Sequence, residues 1–147
     1  MINTIPEWAG QYVGIPYIDY GRDQIGADCW GLVRLILTEQ CGLELPENAI
    51  DPNRGDLCEQ VIRHDIKDWF PIEAGHELAL DPVIMSGCYG DGRNMKRAAM
   101  HLGVVVVPGV LIHTTEETGG AVLLRYRERR AGHDIVAFYR HRSMFRS

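Results

Sequence analysis

Three residues in this chain have the types and the order needed for nucleophilic acyl chemistry: Cys29, His101 and His113. A thiol needs a base or a cation beside it to attack a carbonyl carbon. An imidazole in that role needs a third polar group to fix its tautomer and ring orientation. The three residues can fill these roles in sequence order. His101 would stabilise the thiolate as imidazolium and later protonate the leaving amine, and His113 would bond the far ring nitrogen of His101. Backbone N–H groups around Cys29, its own included, could hold the oxyanion of a tetrahedral intermediate. Each residue also has a plainer reading. A buried free cysteine is common, and a histidine at a strand end or on a half-buried strand is ordinary.

The elements around them favour the chemical reading. Asp28 is a good N-cap, and Leu32, Val33, Ile36 and Gln40 recur at helical spacing until Gly42, which is placed to end the helix. Cys29 is then the first helical residue, where the helix dipole favours a thiolate. His101 opens one β stretch (101–107) and His113 lies near the end of the next (110–114), with Pro108 and Gly109 at the turn. Parity decides whether the imidazoles share a face, because a one-residue slip flips every side chain. Pairing Val107 with Val110 across a tight two-residue loop sets His113 opposite Val104, on the face away from His101. A three-residue or bulged connection sets it opposite Gly103, diagonal to His101 and within about 7 Å at Cβ. We expect the second arrangement, with Gly103 leaving space between the rings.

The rest of the chain reads as one α+β domain over residues 1–147. A short helix after Pro6 carries Trp8, Tyr12 and Ile15 and ends by Gly14 and Pro16. A loop over 16–26 leads into the Cys29 helix, and a turn follows over 42–46. A second helix opens at 51–53, carries Leu57, Val61, Ile62 and Ile66, and is closed by Trp69, Phe70 and Pro71. Residues 82–86 form a short strand, 87–100 a loop that could act as a flap beside a site, and 121–127 and 135–139 further strands. Helices first and a strand meander later indicate an antiparallel sheet packed on the nucleophile helix.

Bulk properties narrow the function. A net charge of −5, with 46% apolar and 24% charged residues, argues against a nucleic-acid binder. From Gly120 onward, however, seven arginines (Arg125, Arg127, Arg129, Arg130, Arg140, Arg142, Arg146) face only Glu128 and Asp134. That run reads as a solvated face, or as a docking surface for an acidic partner. No stretch is long and apolar enough to span a bilayer, so no membrane insertion is expected, and no secretory signal is apparent at the start. The four cysteines, Cys29, Cys41, Cys58 and Cys88, show no CxxC pair. A zinc site built from Cys29, His101, His113 and a carboxylate or Cys88 would use suitable ligands but lacks the close paired spacing of such sites.

The motif Asp28-Cys29-Trp30-Gly31-Leu32-Val33 resembles the nucleophile motif of the NlpC/P60 family of papain-like cysteine peptidases. His101-Leu102-Gly103-Val104-Val105 resembles that family's histidine strand, and Leu111-Ile112-His113-Thr114 the strand of its third polar residue. Residues 135–139 resemble its closing strand. Tyr17 stands where the family has a tyrosine that helps the oxyanion site. The resemblance implies an enzyme, a peptidoglycan endopeptidase that cleaves an amide in the bacterial stem peptide, typically between γ-D-glutamate and the diamino acid. It implies no metal or organic cofactor. It assigns Cys29, His101 and His113 to catalysis, and Tyr17, Asp28 and Trp30 to the oxyanion and the substrate. Trp30 replaces the small serine usual there, and Leu80-Asp81-Pro82 replaces the usual Pro-Gly-Asp lead into the first strand. A leaderless domain of this type resembles the wall peptidases at phage or phage-like particle tail tips, with other tail-tip or baseplate proteins as partners. It would then be made in the bacterial cytoplasm and act at the cell wall. The other readings are a catalytically silent tail protein of the same fold, and an amidase or acyltransferase on another substrate.

Overall fold

The structure, a computed structural model, describes residues 4–45, 68–89, 96–127 and 135–145, and their side chains except at 87–89 and 96–100. The expected helix over 51–66 lies outside the described residues. Pro6 precedes helix α1 (Glu7–Gly10), and turns carry the chain on to Gly14. Tyr12, 1% exposed, ties this segment to the next helix: its hydroxyl donates to Glu39 at 2.7 Å and accepts from Gln40 at 3.0 Å. A two-stranded ribbon follows, β1 (Arg22–Asp23) against β2 (Gly26–Ala27), its turn held by Asp23 accepting from the Ile25 and Gly26 N–H groups.

Helix α2 (Cys29–Cys41) has the ends its sequence predicts. Asp28 accepts from the Gly31 N–H at 2.8 Å. Gly42 takes the left-handed conformation at φ 69°. The N–H of Gly42 bonds Thr38 O and that of Leu43 bonds Leu37 O, which satisfies carbonyls left open at a helix C-terminus. Trp30, Leu32, Val33, Ile36 and Leu37 are buried in one cluster with Ile84, Leu102, Val104 and Ile112 of the sheet. Each such side chain contributes roughly 1.5–3 kcal/mol of apolar burial.

Gly31 fixes how closely the helix start approaches the ribbon. A Cβ there would lie 2.0 Å from the backbone oxygen of Gly21 and 3.3 Å from Ala27 Cβ. Alanine in place of Gly31 gains about 1 kcal/mol in helix propensity. It must also push backbone from backbone, an overpacking cost of about 1–3 kcal/mol or more. Gly31→Ala is therefore expected to lower the urea midpoint. An unchanged or raised midpoint would show that the ribbon yields freely.

The main sheet is antiparallel, in the order β3-β8-β4-β5-β6-β7. Its strands are β3 (Trp69–Ile72), β4 (Pro82–Tyr89), β5 (Lys96–Val107), β6 (Val110–Thr114), β7 (Ala121–Arg125) and β8 (Ile135–His141). A 3₁₀ turn, Arg142–Met144, follows. Two expectations are corrected. Trp69, Phe70 and Pro71, read as a helix end, form an edge strand. Pro71 pairs with Tyr139, and proline is tolerated at an edge because one side of the strand needs no donor. Much of the expected 87–100 loop is strand: β4 and β5 stay in register from Ser86↔Ala99 out to Tyr89↔Lys96.

The sheet has an apolar cluster on each face. Leu102, Val104 and Ile112 face helix α2, while Val83, Met85, Val105, Leu111 and Phe138 form a second cluster. Tyr126, after β7, meets Phe138 of β8 with ring centroids 5.8 Å apart, so the sheet curls around that second cluster. Two buried carboxylates hold the curl. Asp81 takes a two-point contact from Arg140 (Nε to Oδ1 2.8 Å, Nη2 to Oδ2 2.6 Å), and Glu77 accepts from the Tyr126 hydroxyl and the Gly75 N–H. Burial alone would raise the Glu77 carboxyl, but these donors and Arg127 outweigh it and hold the group low. Arg140 thus leaves the solvated face expected for the late arginines. Arg142 pairs with Asp68 at 3.1 Å, and Arg129, Arg130 and Arg146 lie outside the described residues.

Candidate active site

The β5–β6 hairpin decides where the histidines go. Val107 pairs with Val110 across Pro108 and Gly109, but the ladder then skips Val106, and Val105 pairs with Leu111. Gly109 has φ 99°, which suits a Pro-Gly turn of type II. Such turns match the twist of a hairpin poorly, and the bulge at Val106 both absorbs the mismatch and restores parity. The connection is therefore the bulged form of the expected arrangement. His113 stands opposite Gly103, diagonal to His101, on the same face.

The two imidazoles bond directly. His101 Nε2 lies 2.7 Å from His113 Nδ1, with both side chains buried and the ring planes at 72°. One nitrogen of this pair must carry the proton and the other the lone pair, so the facing nitrogens cannot both be protonated. Gly103 does not serve as a gap between them. A Cβ there would meet Ile112 O at 2.8 Å, Leu111 Cδ1 at 3.2 Å and Met85 Cε at 3.3 Å, so the glycine lets strand and core close in.

Cys29 reaches this strand from the helix. Its sulfur accepts from the backbone N–H of Leu102, the residue after His101, and from that of Trp30. The β5–β6 register begins at Gly103↔His113, one residue beyond Leu102. Burial works against the thiolate expected at this helix start. Burial, with 4% of the residue exposed, pushes the Cys29 thiol from 9.0 up to about 12, and the neighbouring Asp28 charge adds to the rise. The two N–H donors and Arg22 oppose it without prevailing. Desolvation of a sulfur anion exceeds what one helix terminus returns. Burial thus favours the thiol over the thiolate here.

This has a consequence for stability. The unfolded chain would release the Cys29 proton near 9.0, while the folded chain holds it to about 12. Stability from this group is complete below the lower value and falls as pH rises through the interval. Tyr12 and Tyr126, raised from 10.0 to about 12 chiefly by burial, act the same way at slightly higher pH. Melting temperature should therefore decline above about pH 9, and Cys29→Ser should flatten the first part of that decline. Identical slopes in the two proteins would contradict the shift.

The remaining expected residues are near but differently engaged. The Tyr17 backbone bridges to Ala27, two residues before Cys29, and its hydroxyl donates to Asp19 at 2.9 Å. Burial first, then Asp19, raises that hydroxyl well above the usual tyrosine range, and the Cys29 and Asp28 charges add to it. Asp28 is fully buried. Oδ1 accepts from Gly31 N and from Arg22 Nη1 at 2.7 Å, and Oδ2 from Tyr20 N at 3.1 Å. It works as cap and ion-pair partner. Trp30 is 5% exposed and packs in the helix-side core. Arg22 was not singled out from sequence; the one available signal was a lone cation between Gly21 and Asp23 in the loop before Cys29. Among the described residues no three His, Cys, Asp or Glu side chains are grouped to hold a metal ion, and no helix is long and apolar enough to cross a membrane.

The architecture is that of NlpC/P60 domains. The chain superposes on the NlpC/p60 domain of peptidoglycan hydrolase SagA with a TM-score of 0.54 and 18% identity, covering 88% of this chain and 91% of that one. It is similar to the P60 domain of the M. avium subspecies paratuberculosis antigen MAP1204 (TM-score 0.53, 17% identity, 92% and 90% covered). A third similar structure is the lipoprotein-like NLP/P60 protein SAV0400 of Staphylococcus aureus subsp. aureus Mu50, with a TM-score of 0.60 and 16% identity. That match covers 94% of this chain but 39% of the larger protein. No family model matches the sequence, and no curated protein does.

Proposed function

We propose that the chain is a cell-wall hydrolase, a cysteine endopeptidase acting on the stem peptide of bacterial peptidoglycan. The observation that carries this reading is the 2.7 Å bond between His101 Nε2 and His113 Nδ1, on a strand whose next residue holds the Cys29 sulfur. With Nε2 committed to His113, Nδ1 of His101 takes the thiol proton as sulfur attacks the amide carbon. His113, accepting at Nδ1, stabilises the imidazolium so formed. The oxyanion is held by N–H groups at the start of α2, with Tyr17 alongside. The C–N bond then breaks, His101 returns the proton to the leaving amine, and a thioester remains. Water attacks that thioester, giving its proton to His101, and the carboxylate and thiol are released.

The family resemblance and the SagA likeness support peptidoglycan as the substrate, and the resemblance alone supports the γ-D-glutamyl–diamino acid bond and a tail-tip setting. Purified protein incubated with peptidoglycan should release fragments that mass spectrometry assigns to one cleaved stem-peptide bond. Cleavage at a sugar–lactyl amide would make it an amidase. The depth and raised pKa of Cys29 favour one second reading, a silent structural protein of the same fold, and intact wall peptide after incubation would support it.

A further inference from the structure

The N-cap of the nucleophile helix is a fully buried carboxylate one residue from a sulfur that must become an anion. Serine, threonine or asparagine would cap about as well without the charge. Asp28 does not stand alone, however. Arg22, its side chain 7% exposed, sets Nη1 2.7 Å from Asp28 Oδ1 and 2.8 Å from the Gly21 carbonyl. The guanidinium is delivered by the ribbon, where Arg22 pairs with Ala27, and its Cζ lies 5.9 Å from the centre of the Tyr20 ring. Tyr20, held at φ 59°, donates its own N–H to the other carboxylate oxygen. A two-residue strand, a left-handed tyrosine and a buried cation thus converge on one carboxylate.

We propose that Arg22 is a positioning residue for the nucleophile: its guanidinium partly offsets the Asp28 charge, so the capping carboxylate anchors Cys29 while opposing its ionisation less than it would alone. The proposal rests on Cys29 being the nucleophile. Among the described residues, Asp28 and Arg22 act on the sulfur's charge, the Cys29 charge in turn acts on Tyr17, and His101 precedes Leu102 on the adjoining strand. Asp28 and Arg22 act on the thiol in opposite directions, the carboxylate against ionisation and the guanidinium for it. The pair is buried, so salt screens it little.

The test is the rate at which iodoacetamide alkylates Cys29, resolved from the other cysteines by peptide mapping, at several pH values below the thiol midpoint. There the rate follows the thiolate fraction, and each unit of pKa is about tenfold in rate. Arg22→Gln should slow Cys29 about tenfold at every pH, and Arg22→Lys should recover most of that loss. Asp28→Asn keeps an oxygen for the Gly31 N–H and should react at least as fast as wild type. The double variant should return close to wild type. A purely architectural role would instead slow Asp28→Asn and Arg22→Gln alike, or leave both unchanged with circular dichroism intact, and either result overturns the proposal. If Arg22→Gln unfolds, Asp28→Asn decides alone, a slowed Cys29 overturning the proposal and an unslowed one supporting it. Failure of the wild type to cleave peptidoglycan, with this order of rates intact, would remove the hydrolase reading and leave the Arg22 assignment standing.

Discussion

Cys29→Ala is expected to lower peptidoglycan cleavage at least about 10⁴-fold while leaving the fold in place. In the proposed mechanism the sulfur forms and breaks the covalent bond, and two backbone N–H groups are aimed at it. Its loss removes a small buried group, so the expected cost in stability is modest and circular dichroism should not change. His101→Ala should be comparably severe, because burial disfavours the thiolate and the proposed mechanism sends the thiol proton to His101. His113→Ala should lose less, about 10²–10³-fold, since it removes the partner that orients the base and not the base itself. Combining any two should cost little more than the worse one, because the residues act as a unit. Turnover of mass-resolved muropeptides checks all of these. Substantial cleavage by Cys29→Ala would exclude the mechanism outright.

Asp81→Ala should be the most damaging single change to stability, at about 3–5 kcal/mol. Asp81 is fully buried and accepts three bonds, two from Arg140 and one from the Leu78 N–H at 2.8 Å. Truncation strands a guanidinium whose side chain is only 13% exposed, together with an amide donor. The backbone at this point also stitches the lead of β4 to β5, through Val105 N to Asp81 O at 2.8 Å and Leu80 N to Val105 O at 2.7 Å. For a chain of this size the loss corresponds to about 10 °C or more in Tm. Replacing both partners with apolar residues of similar volume, as in Asp81→Leu with Arg140→Met, should restore a good part of it, since a missing pair costs less than a stranded charge. A small effect of Asp81→Ala alone would mean that Arg140 finds water or another acceptor.

What the sequence makes legible follows from how far apart the interacting residues lie. The Asp28 cap, the Gly42 stop and the histidine parity are local matters, each settled within a turn or a hairpin. The Arg140–Asp81 and Tyr126–Glu77 contacts span 59 and 49 residues, and no local pattern announces them. Proline in Trp69-Phe70-Pro71 reads locally as a stop, whereas its place at the sheet edge is known only once β8 is beside it. The glycines, arginines and lysine of 87–100 suggest a loop, yet pairing with the facing strand overrides composition there. The sulfur's environment is the most instructive case. A helix start argues for a thiolate, but Cys29 is buried in a cluster with sheet residues such as Leu102, 73 positions further along the chain, and that burial opposes the charge. Leu80 shows a gentler case: it takes φ 74°, the left-handed conformation that glycine adopts most easily, directly before the buried Asp81.

The extra residue at Val106 imposes a counting rule on the hairpin. Removing it, or inserting one residue elsewhere between His101 and His113, would keep every strand hydrophobic and leave the turn intact. It would also carry one imidazole to the opposite side of the sheet. Changes of even length preserve the histidine pairing and changes of odd length abolish it, so this segment should tolerate point substitution far better than single-residue length variation.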